Sequence, residues 1–339
     1  MKMKLLSSVI ALSLLGTAYS VSAESLDTQA PQQTGKWKEG FSGSFMLLFG
    51  VTSSNSNEDG GDDHIDDLNS KGDRESEAYV LPIAGSDISY TFSGGDKQVF
   101  LGTDNANIAL GKPHLEMGYG QHFNNVGTFK ISYMPGVIST KSWEDPYTTD
   151  GDRDETDVTM RGFRLQYTDI LGTGFGAEVS TGRTFIDDEH SGETFGSSVE
   201  DDMDREGHVY YGEFYYVYQL DSRTILRPAV SYLRNDANGE AVSSDSYAAQ
   251  FGILHNFDNS MITLNLKYRR ADYDEENPIF KDKREDDVFD AVISYTYNDI
   301  FGWKGVSAGV LGGYTDNNSN IEFYEHEGWV LGTGIGYSF

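Results

Sequence analysis

Apolar and polar residues alternate with a two-residue period in successive segments of roughly ten residues from Phe41 onward. This is the period of a β-strand, whose neighbouring side chains point to opposite faces. The last segment shows it best, with Trp329, Leu331, Thr333, Ile335, Tyr337 and Phe339 in one set and Gly332, Gly334, Gly336 and Ser338 in the other. The pattern predicts an all-β chain.

The segments 210–220 and 262–269 repeat the alternation, with Glu213 in the first and Lys267 in the second on the non-apolar face. An apolar face opposite a polar face suits either a soluble sandwich or a transmembrane barrel that is apolar outside and polar inside. The alternation alone leaves both folds open, so the lengths of the connections have to decide between them.

Short turns alternate with long polar loops along most of the chain. The tight turns are predicted at 93–97, 124–127, 171–174, 221–224 and 258–260. The long loops are predicted near 52–76, 139–157, 187–206, 235–245, 272–286 and 315–326, and most are rich in Asp and Glu. This asymmetry is typical of an outer-membrane barrel with short periplasmic turns and long external loops.

Counting segments predicts an antiparallel up-and-down barrel of about 14 strands, with about 12 as the alternative. An even number places both chain ends on the periplasmic side. The segment 99–110 has the weakest strand pattern, and the alternation changes phase around Pro82 to Gly85, which predicts a bulge or kink there.

The first residues have the pattern of a secretory signal peptide, with Lys2 and Lys4 before a short apolar run and Val21-Ser22-Ala23 at its end. We therefore divide the chain into a signal peptide at 1–23, a periplasmic arm at 24–40 and a transmembrane barrel at 41–339. The arm lacks periodicity and is expected to be mobile.

The net charge is −29, and loss of the two lysines of the signal peptide would make it −31. Such a charge repels nucleic acid. There is no cysteine, so stability must come from packing and closed hydrogen bonding. Aromatic residues make up 13% of the chain, and a set at strand ends predicts an interfacial girdle: Tyr90, Phe92, Phe123, Tyr167, Tyr297 and Phe339.

The signal peptide, the Gly-rich alternating segments and the terminal sequence from Gly332 to Phe339 resemble those of bacterial outer-membrane porins. The chain is also similar to an uncharacterised family of gammaproteobacterial outer-membrane proteins. The resemblance implies a channel, and it implies that Phe339 is the signal read by the barrel-assembly machinery. A constriction loop with a basic ladder opposite an acidic cluster, which porins of narrow bore carry, is not recognisable here.

Parity places a set of charged residues on the lumen side. Three pairs, each 14 residues apart across a short turn, are Glu116 with Lys130, Arg164 with Glu178, and Glu213 with Arg227. We expect each pair to meet across adjacent strands and form a charge belt, which Lys267, Arg269 and Asp290 extend. The belt either screens passing solutes or only balances the charges of a wet wall.

The acidic loops raise two further hypotheses. Asp150, Asp152 and Asp154 are weak candidates for a Ca²⁺ site, but Glu155 and Arg161 stand where an EF-hand needs Gly and a bidentate Glu. His64 and His190 follow carboxylates and could activate water, yet such neighbours arise by chance in acid-rich loops. We expect no enzyme and no cofactor, and solvated loops that attract divalent counterions.

The sequence therefore predicts an outer-membrane channel for passive diffusion of small hydrophilic solutes, with a preference for cations at its acidic mouths. Its expected partners are outer-membrane lipids, lipopolysaccharide, the barrel-assembly machinery and small solutes. The alternative is a plugged structural or adhesive surface protein that acts through its loops. Small inward residues, such as Gly118, Gly120, Gly176, Ser180, Gly332 and Gly334, favour the open channel.

Overall fold

The computed structural model describes residues 36–59, 62–81, 86–103 and 115–339. The predicted signal peptide, the first part of the predicted arm, the phase change at Pro82 to Gly85 and most of the weakly patterned segment 99–110 lie outside the described residues. In the described part of the chain, no helix is long and apolar enough to cross a membrane.

The described residues form 17 β-segments. They are β1 (Gly40–Ser54), β2 (Glu75–Leu81), β3 (Asp87–Phe92), β4 (Lys97–Gly102), β5 (Glu116–Phe123), β6 (Gly127–Met134), β7 (Thr140–Trp143), β8 (Glu155–Thr168), β9 (Phe175–Ile186), β10 (Gly207–Tyr216), β11 (Tyr218–Gln219), β12 (Thr224–Ala237), β13 (Ser244–Asn256), β14 (Ser260–Glu276), β15 (Lys283–Asn298), β16 (Val306–Ser319) and β17 (His326–Ser338). A short helix, α1 (Ser197–Met203), lies in the loop between β9 and β10.

The segments close into one antiparallel barrel. Consecutive segments pair with each other except at three breaks, and β17 closes the sheet by pairing with β1 from Ser44↔Ser338 to Ser54↔Gly328. Three strands are interrupted: β2 and β3 both pair with β1, β6 and β7 with β8, and β10 and β11 with β12. The barrel therefore has 14 strands, which confirms the preferred count.

Two of the short turns have the same conformation, in which an aspartate side chain accepts a hydrogen bond from the backbone at the end of the turn. Asp169 and Asp299 both have positive φ, near 53° and 52°, and their carboxylates accept the backbone N–H of Gly174 and Gly305 at 3.1 and 2.8 Å. Asp tolerates this left-handed backbone better than most residues. The second of these turns, between β15 and β16, was missing from the predicted set.

The outer face of the barrel carries exposed apolar side chains. Phe45, Val179, Val230 and Leu331, on four different strands, are 55–59% exposed. Aromatic rings stack at the end of the short turns, as in the pair Phe129 and Tyr167 with centroids 4.0 Å apart. A closed barrel leaves no unpaired strand edge in lipid, so this protein is built to span a membrane as outer-membrane barrels do.

Several strands extend farther into the predicted loops than the alternation indicated. β14 continues to Glu276 and β16 to Ser319, which leaves the connections 277–282 and 320–325 much shorter than predicted. The additional paired residues extend these strands above the apolar belt of the barrel. The external loops contact one another at that level.

Candidate functional site

The external loops share one buried apolar core, which we call the cap. Six loops contribute to it, and within the described residues its fully buried members are Ile65, Tyr147, Met203, Ala241, Val242, Ile321, Phe323 and Tyr324. Leu68, Val199, Ala237, Ile279 and Phe280 pack against them. Loops that only attract counterions would not bury these side chains, so the expectation of solvated loops is wrong for this region.

Aromatic contacts bind the cap together. Phe323 has no exposed surface and lies 5.1 Å from Tyr147 and 5.2 Å from Phe280, measured between ring centroids. The hydroxyls of Tyr147 and Tyr324 are 2.9 Å apart, and Asn277 Nδ2 donates to the Tyr324 hydroxyl at 2.7 Å. Burial raises the pKa of Tyr147 and that of Tyr324 above the usual range of a phenol, so both stay protonated.

Arg153 ties two loops to the cap. Its guanidinium donates to the backbone carbonyls of Asn57, at 2.6 Å, and of Asp62, and it lies 4.4 Å from the Trp143 ring. Burial lowers the pKa of Arg153 to about 10, which still leaves it charged at neutral pH. Buried carbonyls need donors, so this side chain satisfies groups that the loops cannot pair by themselves.

Two more arginines lie at the edge of the cap. Arg284 reaches both carboxylate oxygens of Glu58, at 2.8 and 2.9 Å, and lies 3.6 Å from the Tyr324 ring. Arg205 binds Glu189 through Nε, at 3.0 Å, and Nη2, at 2.5 Å. Burial lowers the pKa of Arg205, but the Glu189 carboxylate outweighs this and the net shift is upward.

Below the cap, Arg164 joins two carboxylates on the lumen wall. Its Nη2 is 2.5 Å from Glu178 Oε2, and its Nη1 is 3.5 Å from Glu116 Oε1. All three side chains are at most 4% exposed. The sequence predicted that Arg164 and Glu178 would meet, and the structure brings them together across β8 and β9.

The next pair, Glu213 and Arg227, is also in direct contact across β10 and β12. The strand register places Glu213 opposite Glu178, so two carboxylates meet on neighbouring strands with an arginine on either side. Arg227 also lies 4.0 Å from the Tyr215 ring. Charge therefore alternates around this arc of the wall.

The predicted pairing of Glu116 with Lys130 is wrong. The register places Lys130 opposite Gly120, and Glu116 instead accepts a hydrogen bond from Ser132 at 2.6 Å and contacts Arg164. Glu213 and Arg227 have the same offset, since Glu213 lies opposite Ser231, four residues from Arg227. The long side chain of Arg227 spans this offset, so register alone does not decide which pair meets. Lys130 lies 5.5 Å from the Phe100 ring.

Lys267 and Asp290 lie opposite each other on β14 and β15, as the proposed extension of the belt requires. Asp290 accepts a hydrogen bond from Thr315 Oγ1 at 2.7 Å. Lys267 and Arg269 line a cavity of about 60 Å³, together with Tyr211, Ser231, Leu233, Ser246, Ala248 and Gln250. A few water molecules fit a space of this size.

Large side chains cover the inward glycines. A Cβ added at Gly176 would lie 2.2 Å from the Tyr215 ring, one at Gly120 would lie 2.8 Å from Trp37, and one at Gly118 would lie 2.5 Å from Phe100. Tyr79 covers Gly332 in the same way. The expectation that these glycines leave open space beside the wall is wrong, because they make room for neighbouring rings.

An apolar patch also lies on the lumen wall. Tyr79, Val292 and Val330 are buried there and pack with Leu311. These residues belong to β2, β15, β16 and β17, whereas the ion-paired part of the charge belt runs from β5 to β12. The two regions adjoin on β15, where Asp290 is two residues from Val292.

Comparison with known proteins gives a family. Residues 40–338 match the family described as "Protein of unknown function (DUF2860)". The chain belongs to this family. Among curated proteins, none matches the sequence.

Several solved outer-membrane proteins are similar in structure. The CymD monoaromatic hydrocarbon channel has a TM-score of 0.46 and 8% identity, with 98% of each chain covered. The outer-membrane channel DcaP of Acinetobacter baumannii has a TM-score of 0.43 and 12% identity over 90% of this chain and 99% of that one. A Pseudomonas aeruginosa FadL homologue has a TM-score of 0.42 and 10% identity over 88% and 90%.

The acidic loop candidates remain on the surface. Among the described residues, no group of three or more His, Cys, Asp or Glu side chains is placed to hold a metal ion, so Asp150, Asp152 and Asp154 are not brought together as one. His64 lies 3.6 Å from Asp152 and is 48% exposed. His190 lies 3.4 Å from Glu200 and is 47% exposed.

Both ends of the described chain are attached to the barrel. Phe339 exchanges backbone hydrogen bonds with Gly43, at 3.0 and 3.2 Å, and its ring lies 6.0 Å from Phe45. Its role as an assembly signal stays a prediction. Near the other end, Lys36 pairs with Asp96 at 2.9 Å, and the backbone of Trp37 bonds to Gly95 at 3.0 Å.

Proposed function

We propose that this protein is an outer-membrane channel for passive diffusion of small hydrophilic solutes, closed at its outer mouth by the cap. The observation that carries the proposal is a buried arc of alternating charge on the wall of a 14-stranded barrel, beneath loops that share an apolar core.

The width of a 14-stranded barrel supports a pathway for solutes through its interior. Side chains just fill the interior of a barrel of about eight strands, whereas barrels of about 16 strands hold an aqueous channel. A barrel of 14 strands lies nearer the second case, even with rings covering its inward glycines. Space for solutes and water therefore remains between the walls.

The charged side of the lumen supports a hydrophilic cargo. Glu116, Arg164, Glu178, Glu213 and Arg227 hold each other in place by ion pairs, so their positions do not depend on a solute. Fixed charges of both signs stabilise passing polar groups and discourage apolar ones. The apolar patch of Tyr79, Val292, Val330 and Leu311 adds surface that the carbon skeleton of a small solute can contact.

A preference for cations would arise at the outer mouth and not at the belt. The belt has nearly equal numbers of acids and bases, while the outer surface of the cap exposes many acids, including Asp62, Asp66, Asp150 and Asp201. A negative rim concentrates cations, and salt screens this effect over about 10 Å at 0.1 M.

The test is single-channel conductance of the mature chain in a planar bilayer with a salt gradient. We compare the native protein with Phe323→Asp, which places a charge in the cap core, and with Phe195→Asp, whose ring is 45% exposed in a cap loop. Phe323→Asp should conduct in long, cation-selective openings, while the native protein and Phe195→Asp stay mostly closed. A folded Phe323→Asp barrel that never conducts contradicts a channel.

The shared core of the cap favours a second function, a surface-exposed binding protein. Loops that pack on one another present a fixed surface to a partner, whereas independent loops do not. In that case a silent Phe323→Asp barrel would be expected, and the acidic outer side of the cap would be the functional surface.

A further inference from the structure

Two exposed arginines on the outer face of the barrel face each other without an acidic partner. Arg161 on β8 and Arg183 on β9 are paired in the strand register, and both are exposed. Like charges directly opposite each other on a sheet destabilise it. Within the described residues, no carboxylate forms an ion pair with either arginine, although acids outnumber basic residues 54 to 25 in the chain.

Another outward-facing arginine of the barrel does have acidic partners. Arg270 lies on the same face of the barrel and has three carboxylates within 3.5 Å, those of Asp272, Glu285 and Asp287. In so acidic a chain an exposed guanidinium is usually neutralised by the protein itself. The pair Arg161 and Arg183 leaves that charge for a group outside the chain.

The two guanidinium groups converge on one place. Their Cζ atoms lie 5.1 and 5.3 Å from the centroid of the same ring, Phe185. His208 on β10 is also exposed and is paired with Arg183 in the strand register. Arg161, Arg183 and His208 therefore form a row of three nitrogen donors across neighbouring strands. The row then reaches Asp236 on β12, which binds Arg234 at 3.3 Å.

The row lies at the outer edge of the membrane. Arg183 follows Phe175, an aromatic residue at the turn end of β9, by eight residues. Eight residues extend about 26 Å along a strand, or about 20 Å of height at a tilt of about 40°. An apolar belt is roughly 25 Å tall, so the backbone of Arg183 lies just below the top of the belt and its long side chain extends to the level of the outer headgroups.

Apolar groups next to the arginines complete an amphipathic site. Phe163, two residues below Arg161 on β8, is 58% exposed, and Val137, in the break between β6 and β7, is 65% exposed. A Cβ added at the adjacent Gly136 would lie 2.7 Å from Arg161 Cγ, so this break is beside the arginine. Acyl chains can contact the apolar groups while an anionic headgroup contacts the arginines.

We propose that Arg161 and Arg183 form a binding site for the phosphate groups of lipopolysaccharide in the outer leaflet. Guanidinium groups match phosphate oxygens by paired, charge-assisted hydrogen bonds. A phosphate between the two arginines also removes the repulsion that their register creates. The ligand chemistry is shared by free phosphate, and the lipid is the source that the position in the membrane and the apolar groups favour.

The experiment is a titration of the refolded mature protein in detergent with lipopolysaccharide truncated to lipid A and inner core, followed by native mass spectrometry. The variant R161Q/R183Q should bind this lipid about tenfold or more weakly. R270Q is the matched control and should bind as the native protein does, and R161K/R183K should retain part of the affinity. Phosphatase-treated lipid should bind the native protein as weakly as the untreated lipid binds R161Q/R183Q.

Two results would overturn the site. Equal binding of the lipid by R161Q/R183Q and by the native protein would show that the arginines take no part. Displacement of the lipid by inorganic phosphate at equal concentration would identify a free-anion site instead. Heat-dependent gel mobility identifies folded barrels, and if R161Q/R183Q does not fold, the single variants R161Q and R183Q give the same comparison with smaller losses.

Discussion

The cap and the charge belt both bury arginines, but they place them differently. In the cap, apolar side chains from six loops form one core with Phe323, while Arg153 joins two loops and Arg284 joins β15 to the loop that carries Glu58. In the belt, Arg164 lies at the centre, between Glu116 and Glu178, and all three side chains come from strands. The cap is therefore a contact between loops, and the belt is a contact within the barrel wall.

This difference predicts how the stability of each region responds to a substitution. Loop contacts can separate while the strand ladder stays intact, because the barrel's hydrogen bonds do not pass through the cap. Removal of one charged side chain from the belt leaves its partner buried and unpaired inside the wall, and this lowers the stability of the whole barrel. Motion that admits a solute should therefore occur in the cap, where opening costs only the contacts among loops.

The largest expected effect is in the belt. Arg164→Met removes the guanidinium that Glu116 and Glu178 share, both at most 4% exposed. Breaking a buried ion pair on one side costs about 3–5 kcal/mol. The free energy of unfolding, measured by urea titration in lipid vesicles, should fall by that amount.

The double variant R164M/E178Q is the control for charge, because it removes one of the two carboxylates together with the arginine. It should recover part of the lost stability. If Arg164→Met instead costs well under 1 kcal/mol, water reaches the belt freely and the comparison between a buried belt and a buried cap fails.

The next effect is in the cap. Met203, on α1, has no exposed surface, and its truncation to alanine should cost about 2–5 kcal/mol in the stability of the cap. Hydrogen exchange should speed up in the loops while the amides of the strands keep their protection. Phe195→Ala, at an exposed ring in the same loop, should change exchange little, and equal loss of protection in strands and loops would contradict an independent cap.

A smaller effect separates a filled lumen wall from an open one. Gly176→Ala places a Cβ 2.2 Å from the Tyr215 ring, and the overpacking should cost about 1–3 kcal/mol. Gly212→Ala, on the outer face of the neighbouring strand, controls for the loss of a glycine alone, since its added Cβ meets only Glu178 O at 3.9 Å and should stabilise by about 0.4–1 kcal/mol. Urea titration measures both, and stabilisation by Gly176→Ala would show that no ring covers this glycine.

The barrel and the side of each belt residue could be predicted from the sequence because a strand has a strict period of two. That period gave the lumen position of Arg164, Glu178 and Glu213. It could not give the partner of Lys130, because contact depends on side-chain reach as well as register: Lys130 and Arg227 each lie four residues from the position opposite the expected carboxylate, and of the two Arg227 contacts it.

The cap could not be predicted by periodicity, since loops have none. A signal was nevertheless present: Tyr147, Phe280 and Phe323 are large apolar residues in otherwise acidic loops. Such residues are costly in solvated segments and suggest a shared core, but only the closed barrel brings distant loops within reach of one another. The inward glycines of the strand pattern were equally ambiguous, because a glycine such as Gly176 can face either water or a ring.

The smallest effect concerns pH in the cap loop that contains α1. The hydrogen bond to Glu200, 3.4 Å from Nδ1, raises the pKa of His190, and the nearby Glu193 and Glu144 carboxylates act in the same direction, while burial opposes them. A raised pKa means that this contact stabilises the folded loop fully below the unfolded value of about 6.5 and is lost as pH rises through the folded value. Hydrogen exchange of residues 190–203 should therefore accelerate more steeply between about pH 6 and pH 8 than the chemical rate alone predicts. His190→Gln should remove this excess, and an unchanged pH dependence in that variant would show that the loop is held by the apolar core alone.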